Sequence, residues 1–229
     1  MEKPDLIIFD CDGVLVDSEI IAARVEAELL TEAGFGISAE ELAQTYAGLT
    51  FKDILLRIEE ISGLPFKATL IDQAEAAVDR RLRQEVRAIE GVREAIAQVS
   101  VPCCICSNSS SERIRAMLEK TGILPLFRGP IFSAPELPTG RTKPAPDVFL
   151  HAAKEFSADP ARTFVIEDSV HGIAGARAAG MRVIGFTGGA HSYPGHADVL
   201  TEAGAETSIR RWSDFRSVLD ALLTWSEDD

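Results

Sequence analysis

The chain has 229 residues, 46% hydrophobic and 26% charged, with a formal net charge of −13 and a pI near 4.8. These are ordinary globular proportions, enough for one large domain or a core with a smaller insert. The acidity argues against a general nucleic-acid or membrane-surface binder, since both partners are polyanions, but it leaves room for a small anionic substrate held by the local field of a cleft.

Met1-Glu2-Lys3-Pro4-Asp5 runs into an apolar segment without the charged and apolar pattern of a signal peptide. No apolar stretch approaches the ~20 residues of a membrane span. A cytoplasmic protein without a membrane partner is expected. The first predicted strand, residues 6–9, ends in Asp10-Cys11-Asp12-Gly13. Residues i and i+2 of a strand share a face, so a continuing strand would put Asp10 and Asp12 together in apolar surroundings. That is costly for unpaired charges. The strand is therefore expected to stop near Asp10, with both carboxylates facing a crevice, while Gly13 lets the chain turn. A hard divalent cation such as Mg²⁺ would relieve their repulsion. A solvated loop after a buried strand is the plainer alternative.

Residues 18–87 hold no convincing strand. Apolar residues recur at helical spacing: Ile21, Val25 and Leu29, then Ile54, Ile58 and Ile61, then Ile71, Ala74, Val78 and Leu82. Breaks are expected at Gly34-Phe35-Gly36, Gly48-Leu49-Thr50 and Gly63-Leu64-Pro65. This predicts an inserted helical cap domain over 18–87, with residues 1–17 and 88–229 forming the core. Arg80, Arg81 and Arg83 read as a solvated helix face rather than a second anion site.

Further strands are predicted at 103–106, 130–132, 163–166 and 182–186, with a weaker one at 206–209. Strands alternating with helices give an α/β fold, a doubly wound, Rossmann-like parallel sheet. Cys103, Cys104 and Cys106 fall inside one such strand. They read as free core thiols rather than a metal pair, which would need a turn and a second pair.

Ligands of open parallel sheets bind at the carboxyl ends of the strands. Four features fall there. Asp10 and Asp12 are the first. The second is Ser107-Asn108, a hydroxyl and an amide able to hydrogen-bond an anion, followed by Ser109, Ser110 and Ser111, one of which is expected to cap the helix starting near Glu112. The third is Lys143, a point charge on a proline-stiffened turn, suited to phosphate, with Asp147 as helix cap or partner of a base. The fourth is Glu167-Asp168-Ser169, carboxylates suited to metal ligation or to capping the next helix. His171 reads as a helix-start or packing residue.

Asp10-x-Asp12-Gly13-Val14-Leu15-Val16-Asp17-Ser18-Glu19, Ser107-Asn108, Lys143-Pro144-x-Pro146 and Glu167-Asp168-Ser169 together resemble the haloacid dehalogenase-like superfamily. The helical insert after the first strand resembles the subgroup of β-phosphoglucomutase and sugar-phosphate phosphatases. The resemblance implies that Asp10 attacks phosphorus and becomes an aspartyl phosphate. It implies that Asp12 is first the acid for the leaving oxygen and then the base for water. Mg²⁺ would be held by Asp10, the Asp12 backbone carbonyl and Asp168, with Glu167 close by or acting through water. Ser107 and Lys143 would hold the phosphoryl group, with Asn108 beside them. Glu19, Gly48, Thr50 and Lys52 are the candidate cap contacts. The cap would close over the crevice, hinged at 17–19 and 86–91.

Asp12 argues against a dehalogenase, whose relatives lack the second Asp. Mutases of the subgroup carry a His where this chain has Ala22 and an Arg where it has Phe51, with Lys52 one residue on. Hydrolysis is therefore expected over phosphoryl transfer between sugar positions. The expected substrate is a sugar phosphate or a phosphosugar acid, and Phe9-Asp10-Cys11-Asp12-Gly13 with Ile89-Glu90-Gly91 looks most like phosphatases of the second kind. A monomer or weak homodimer is expected. A phospho-accepting signalling domain and a non-catalytic sugar-phosphate binder are the readings from other classes.

Overall fold

The computed structural model describes residues 3–46 and 49–225. Six parallel strands form one sheet: β1 Leu6–Phe9, β2 Cys103–Ser107, β3 Ile131–Ser133, β4 Thr163–Glu167, β5 Arg182–Phe186 and β6 Thr207–Ile209. Their order is β3-β2-β1-β4-β5-β6. This is the predicted doubly wound sheet, and each strand lies within a residue or two of its expected place.

The side-chain period of two distributes the strand residues between two cores. Leu6 and Ile8 of β1 join Cys104, Cys106, Val165 and Val183 on one face. Ile7 and Phe9 join Ile105, Phe164, Ile166, Ile184 and Phe186 on the other. Cys103 packs with the second set and Cys106 with the first, so the CxxC spacing places the two thiols on opposite faces of the sheet. All four cysteines are free.

The chain leaves β1 for β2 and β3 on one side, then returns to β4 on the other. β1 and β4 pair in register, Phe9 beside Ile166. The winding direction therefore reverses between them, and the crevice of such a sheet opens at that switch point. Helices α5 Val92–Gln98, α6 Ser111–Lys120, α7 Asp147–Phe156, α8 Val170–Ala178, α9 His196–Glu202 and α10 Phe215–Trp225 cover the two faces.

Between β1 and α5 come four helices: α1 Glu19–Glu32, α2 Ala39–Thr45, α3 Phe51–Ser62 and α4 Thr69–Glu85. They enclose a separate apolar cluster of Ala23, Ala27, Leu30, Leu42, Tyr46, Ile54, Leu55 and Ile58. Helix α1 is buried on two sides, since its Ile20, Ile21 and Val25 join the cluster of the sheet. Ile61 departs from its expected inward position and is 64% exposed. The buried stripe of α3 runs through Ile54, Leu55 and Ile58 and does not include the last turn, where Ile61 lies. The two connections to the helices run side by side. Val16 bridges Ala88, and the Asp17 N–H donates to the Arg87 carbonyl at 2.9 Å. Arg81 pairs with Glu28 and Glu85, and Arg83 with Glu112, a solvated helix face as expected. No described helix is long and apolar enough to cross a membrane.

Candidate active site

Each strand that ends at the switch point delivers one part of a site. β1 delivers Asp10, β2 delivers Ser107, and β4 delivers Glu167 and Asp168. All four are buried, as is Lys143. Lys143 comes from the loop before α7. Its position is fixed by Asn108, whose side-chain oxygen accepts from the Lys143 N–H at 2.8 Å and whose amide donates to the Lys143 carbonyl at 3.3 Å. Asn108 is thus a clamp on the lysine as well as part of the crevice wall.

The Lys143 ammonium donates to Asp10 Oδ1 at 2.6 Å and to Glu167 Oε1 at 2.5 Å. Burial works against its charge, but the carboxylates of Asp10 and Glu167 outweigh it and hold its pKa above the usual lysine range. Burial raises the Asp10 pKa well above the carboxylate norm. Lys143 opposes that shift, while Glu167, Asp12 and Asp168 add to it. The other Glu167 oxygen accepts from the N–H groups of Asp168 and Ser169 and from the Ser169 hydroxyl, at 3.0–3.1 Å. Ser169 also caps α8, accepting from the Gly172 N–H.

Asp12 is held by three hydroxyls. Ser18 donates to its Oδ1 at 2.7 Å, and Ser107 and Ser109 donate to its Oδ2 at 3.1 and 2.8 Å. Ser110, not Ser109, caps α6. Gly13, at φ +70°, makes the turn that aims these carboxylates, and a Cβ there would fall 1.8 Å from Asp168 Oδ2. Asp10, Glu167 and Asp168 bring carboxylate oxygens within 4.8 Å of one another, the group able to hold a metal among the described residues. Three hard oxygen donors against one shared ammonium suit a small divalent cation.

Three residues of the site were not foreseen. His191 and Tyr193 lie between β5 and α9, in a glycine-rich stretch that reads as an ordinary loop, and His196 opens α9. His191 Nε2 lies 3.0 Å from Asp168 Oδ2. Burial disfavours its charged form, but the hydrogen bond and charge of Asp168, with Glu19 and Asp17, raise its pKa to about 9. His196 Nε2 lies 2.9 Å from the Asp168 carbonyl and its Nδ1 lies 3.0 Å from Ser192 Oγ. Tyr193 stacks on that ring at 4.8 Å. The position of this loop past the carboxyl end of β5 was the available signal. His171, in the first turn of α8, also lines the crevice.

The crevice has a volume of about 760 Å³ and lies between these strand ends and the helices α1–α4. Glu19 and Thr50 line it as expected, and so do Ala22, Glu26 and Tyr46. Enclosure in the crevice raises the Glu19 pKa to about 8, helped by Asp12 and Asp168. Lys52 does not line the crevice. It is exposed, because α3 turns Asp53 and Ile54 toward the opening instead. Gly48 lies outside the described residues. Asp147 pairs with Arg141 at 2.6 Å, away from the site.

A family model described as haloacid dehalogenase-like hydrolase matches residues 7–186. The chain belongs to that family. A haloacid dehalogenase-like protein of unknown function from Agrobacterium tumefaciens str. C58 is 57% identical, with a TM-score of 0.92 over 96% of this chain and 99% of that one. The 6-phosphogluconate phosphatase of Escherichia coli (strain K12) is 29% identical, covering 85% of this chain and 87% of its own length. Hexitol phosphatase B of the same strain is 30% identical, covering 77% and 81%. The named relatives are phosphatases, in accord with the expected class of phosphoric monoester hydrolase and with the sugar-phosphate phosphatase branch of the family.

Proposed function

We propose that the protein is a Mg²⁺-dependent phosphatase that hydrolyses a small phosphorylated metabolite through an aspartyl phosphate on Asp10. The observation that carries this reading is the buried Asp10–Lys143–Glu167 array at the switch point, with Asp168 beside it. Asp10 and Asp168 each keep one carboxylate oxygen without a hydrogen bond among the described residues, whereas both Glu167 oxygens are engaged. Asp10 and Asp168 are therefore assigned as direct ligands of Mg²⁺, together with the Asp12 carbonyl, and Glu167 as a ligand through water. Bound there, the cation would offset the charge of a phosphate entering a site already rich in carboxylates.

Asp10 attacks phosphorus with Oδ1, the oxygen that Lys143 holds at 2.6 Å, and leaves its other oxygen to the cation. As that bond forms, the bond to the leaving oxygen breaks, and Asp12 supplies the proton. Asp12 then takes a proton from the water that cleaves the acyl phosphate. Its serine partners fix its orientation for both steps. Lys143 neutralises phosphoryl oxygens, and Ser107 and Asn108 complete the pocket. Residues 18–87 act as a cap domain on the core of 1–17 and 88–229, excluding water when closed. Ala22 lines the crevice where a mutase would present an imidazole, in keeping with transfer to water. Cytoplasmic placement and action as a monomer or weak dimer complete the reading.

The test is phosphate release from a panel of phosphate monoesters with Mg²⁺, using the wild type and Asp10→Asn. Release by the wild type alone supports the reading. Isomerisation of β-glucose 1-phosphate without release would replace it with a mutase.

A further inference from the structure

The two walls of the crevice differ in their cations. The strand-end wall sets Lys143 and three histidines, His171, His191 and His196, among the carboxylates Asp10, Asp12, Glu167 and Asp168. Among the described residues, the charged side chains that α1–α4 turn toward the crevice are Glu19, Glu26 and Asp53, all acidic. Arg113 of α6 reaches the rim, but its guanidinium is paired with Asp79 of α4 at 2.7 Å. Lys52 faces away. A second phosphate or a carboxylate on the substrate would meet no unpaired cation among the described residues of this side.

Glu26 marks the far end of that wall. It follows Glu19 by seven residues, so the two lie on one face of α1, two turns apart. Ala22 and Ala23 lie between them and leave space where larger side chains would fill it. Glu26 has no hydrogen-bond or ion-pair partner among the described residues, and burial alone raises its pKa to about 7. A partly buried polar group without a partner is costly in the free protein, and a ligand that satisfies it recovers that cost. Hydroxyl groups can do so, since they donate to a carboxylate. A second anion can do so only while Glu26 holds its proton, and above pH 7 it meets like-charge repulsion instead. The Tyr46 phenol stands on the same wall.

We infer that the substrate is the monophosphate of an uncharged polyol or sugar, and that Glu26 selects it against phosphosugar acids and bisphosphates. This rests on the phosphatase reading and narrows the expected substrate, excluding the phosphosugar acids.

The test measures kcat/KM with Mg²⁺ for sorbitol 6-phosphate, glucose 6-phosphate, 6-phosphogluconate and fructose 1,6-bisphosphate. The variants are Glu26→Gln and Glu26→Lys, with circular-dichroism melting to confirm that each is folded. The wild type is expected to favour the two neutral esters by about tenfold or more over both anionic ones, the scale of one like-charge contact. Glu26→Gln narrows that ratio, and Glu26→Lys moves it toward 6-phosphogluconate by a further tenfold or so. Equal or better wild-type turnover of 6-phosphogluconate overturns the inference, as does a ratio that neither folded variant moves. Acetyl phosphate, too small to reach Glu26, separates the two readings. If the wild type releases phosphate from neither it nor the panel, the phosphatase reading fails and this inference falls with it.

Discussion

Asp10 and Lys143 stand 133 residues apart in the chain and meet at 2.6 Å, each side chain less than one-tenth exposed. Glu167 closes the array from the next strand. A buried ammonium between two carboxylates is worth little as a source of stability when intact, yet removing it strands two charges.

Lys143→Ala is therefore expected to destabilise the metal-free protein by about 3–5 kcal/mol at neutral pH, the usual penalty for an uncompensated buried charge. Urea unfolding checks this. The loss should shrink at acid pH, where the stranded carboxylates take up protons. A stability unchanged from wild type at pH 7 would show that the array is solvated rather than buried.

Gly172→Ala should impair the site from outside it. A Cβ at residue 172 would fall 1.8 Å from Glu167 Oε1, the oxygen that holds Lys143. Glu167 must move, so phosphatase activity should fall at least tenfold, with a stability loss of about 1–3 kcal/mol from overpacking. Gly36→Ala, which meets nothing within 4 Å, should shift stability by less than about 0.5 kcal/mol.

Glu26→Gln should make the protein more stable at pH 8 and leave it unchanged at pH 4. The folded-state pKa of Glu26, about 7, lies above its ordinary 4.5. Its ionisation therefore opposes folding, with the effect absent below 4.5 and complete above 7. The gain expected at pH 8 is about 1–3 kcal/mol, read as the difference between unfolding free energies at the two pH values.

His191 titrates with the opposite chemistry but the same slope. Its folded pKa of about 9 exceeds its ordinary 6.5. The stability it adds is complete below 6.5 and lost as pH rises to 9. Metal-stripped wild type should lose stability across that window, and His191→Gln should flatten the curve there. Identical pH profiles for the two would show that the Asp168 pair contributes nothing.

Mg²⁺ should raise the unfolding temperature of the wild type in a concentration-dependent way, since a ligand bound only by the folded state stabilises it by mass action. Asp168→Asn should abolish the shift. A shift retained in that variant would move the metal away from Asp168.

The sheet and the carboxylates at its strand ends were legible because they are local signals. Buried parallel strands are short apolar runs, and a run that stops at Asp10-x-Asp12 or Glu167-Asp168 announces a strand end facing solvent. The helical insert was legible from its period. What remained hidden depended on contacts between distant segments. The place of His191 after β5 puts its loop near the strand ends, but nothing in the sequence indicates that the loop folds back to touch Asp168. Nothing local distinguishes Lys52, which α3 turns outward, from Glu26, which α1 turns inward; each is a charged residue within a helix. The same limit applies to Asn108, which reads as an anion ligand and is found clamping Lys143.

By itself, the sequence determined the fold class, which strands end in polar groups and the chemical type of each group there, because these follow from residue identity and short-range periodicity. Tertiary structure alone decided which charges share one crevice and which wall they occupy. That depends on helix rotation and loop path, set by packing across the whole chain rather than by any segment of it.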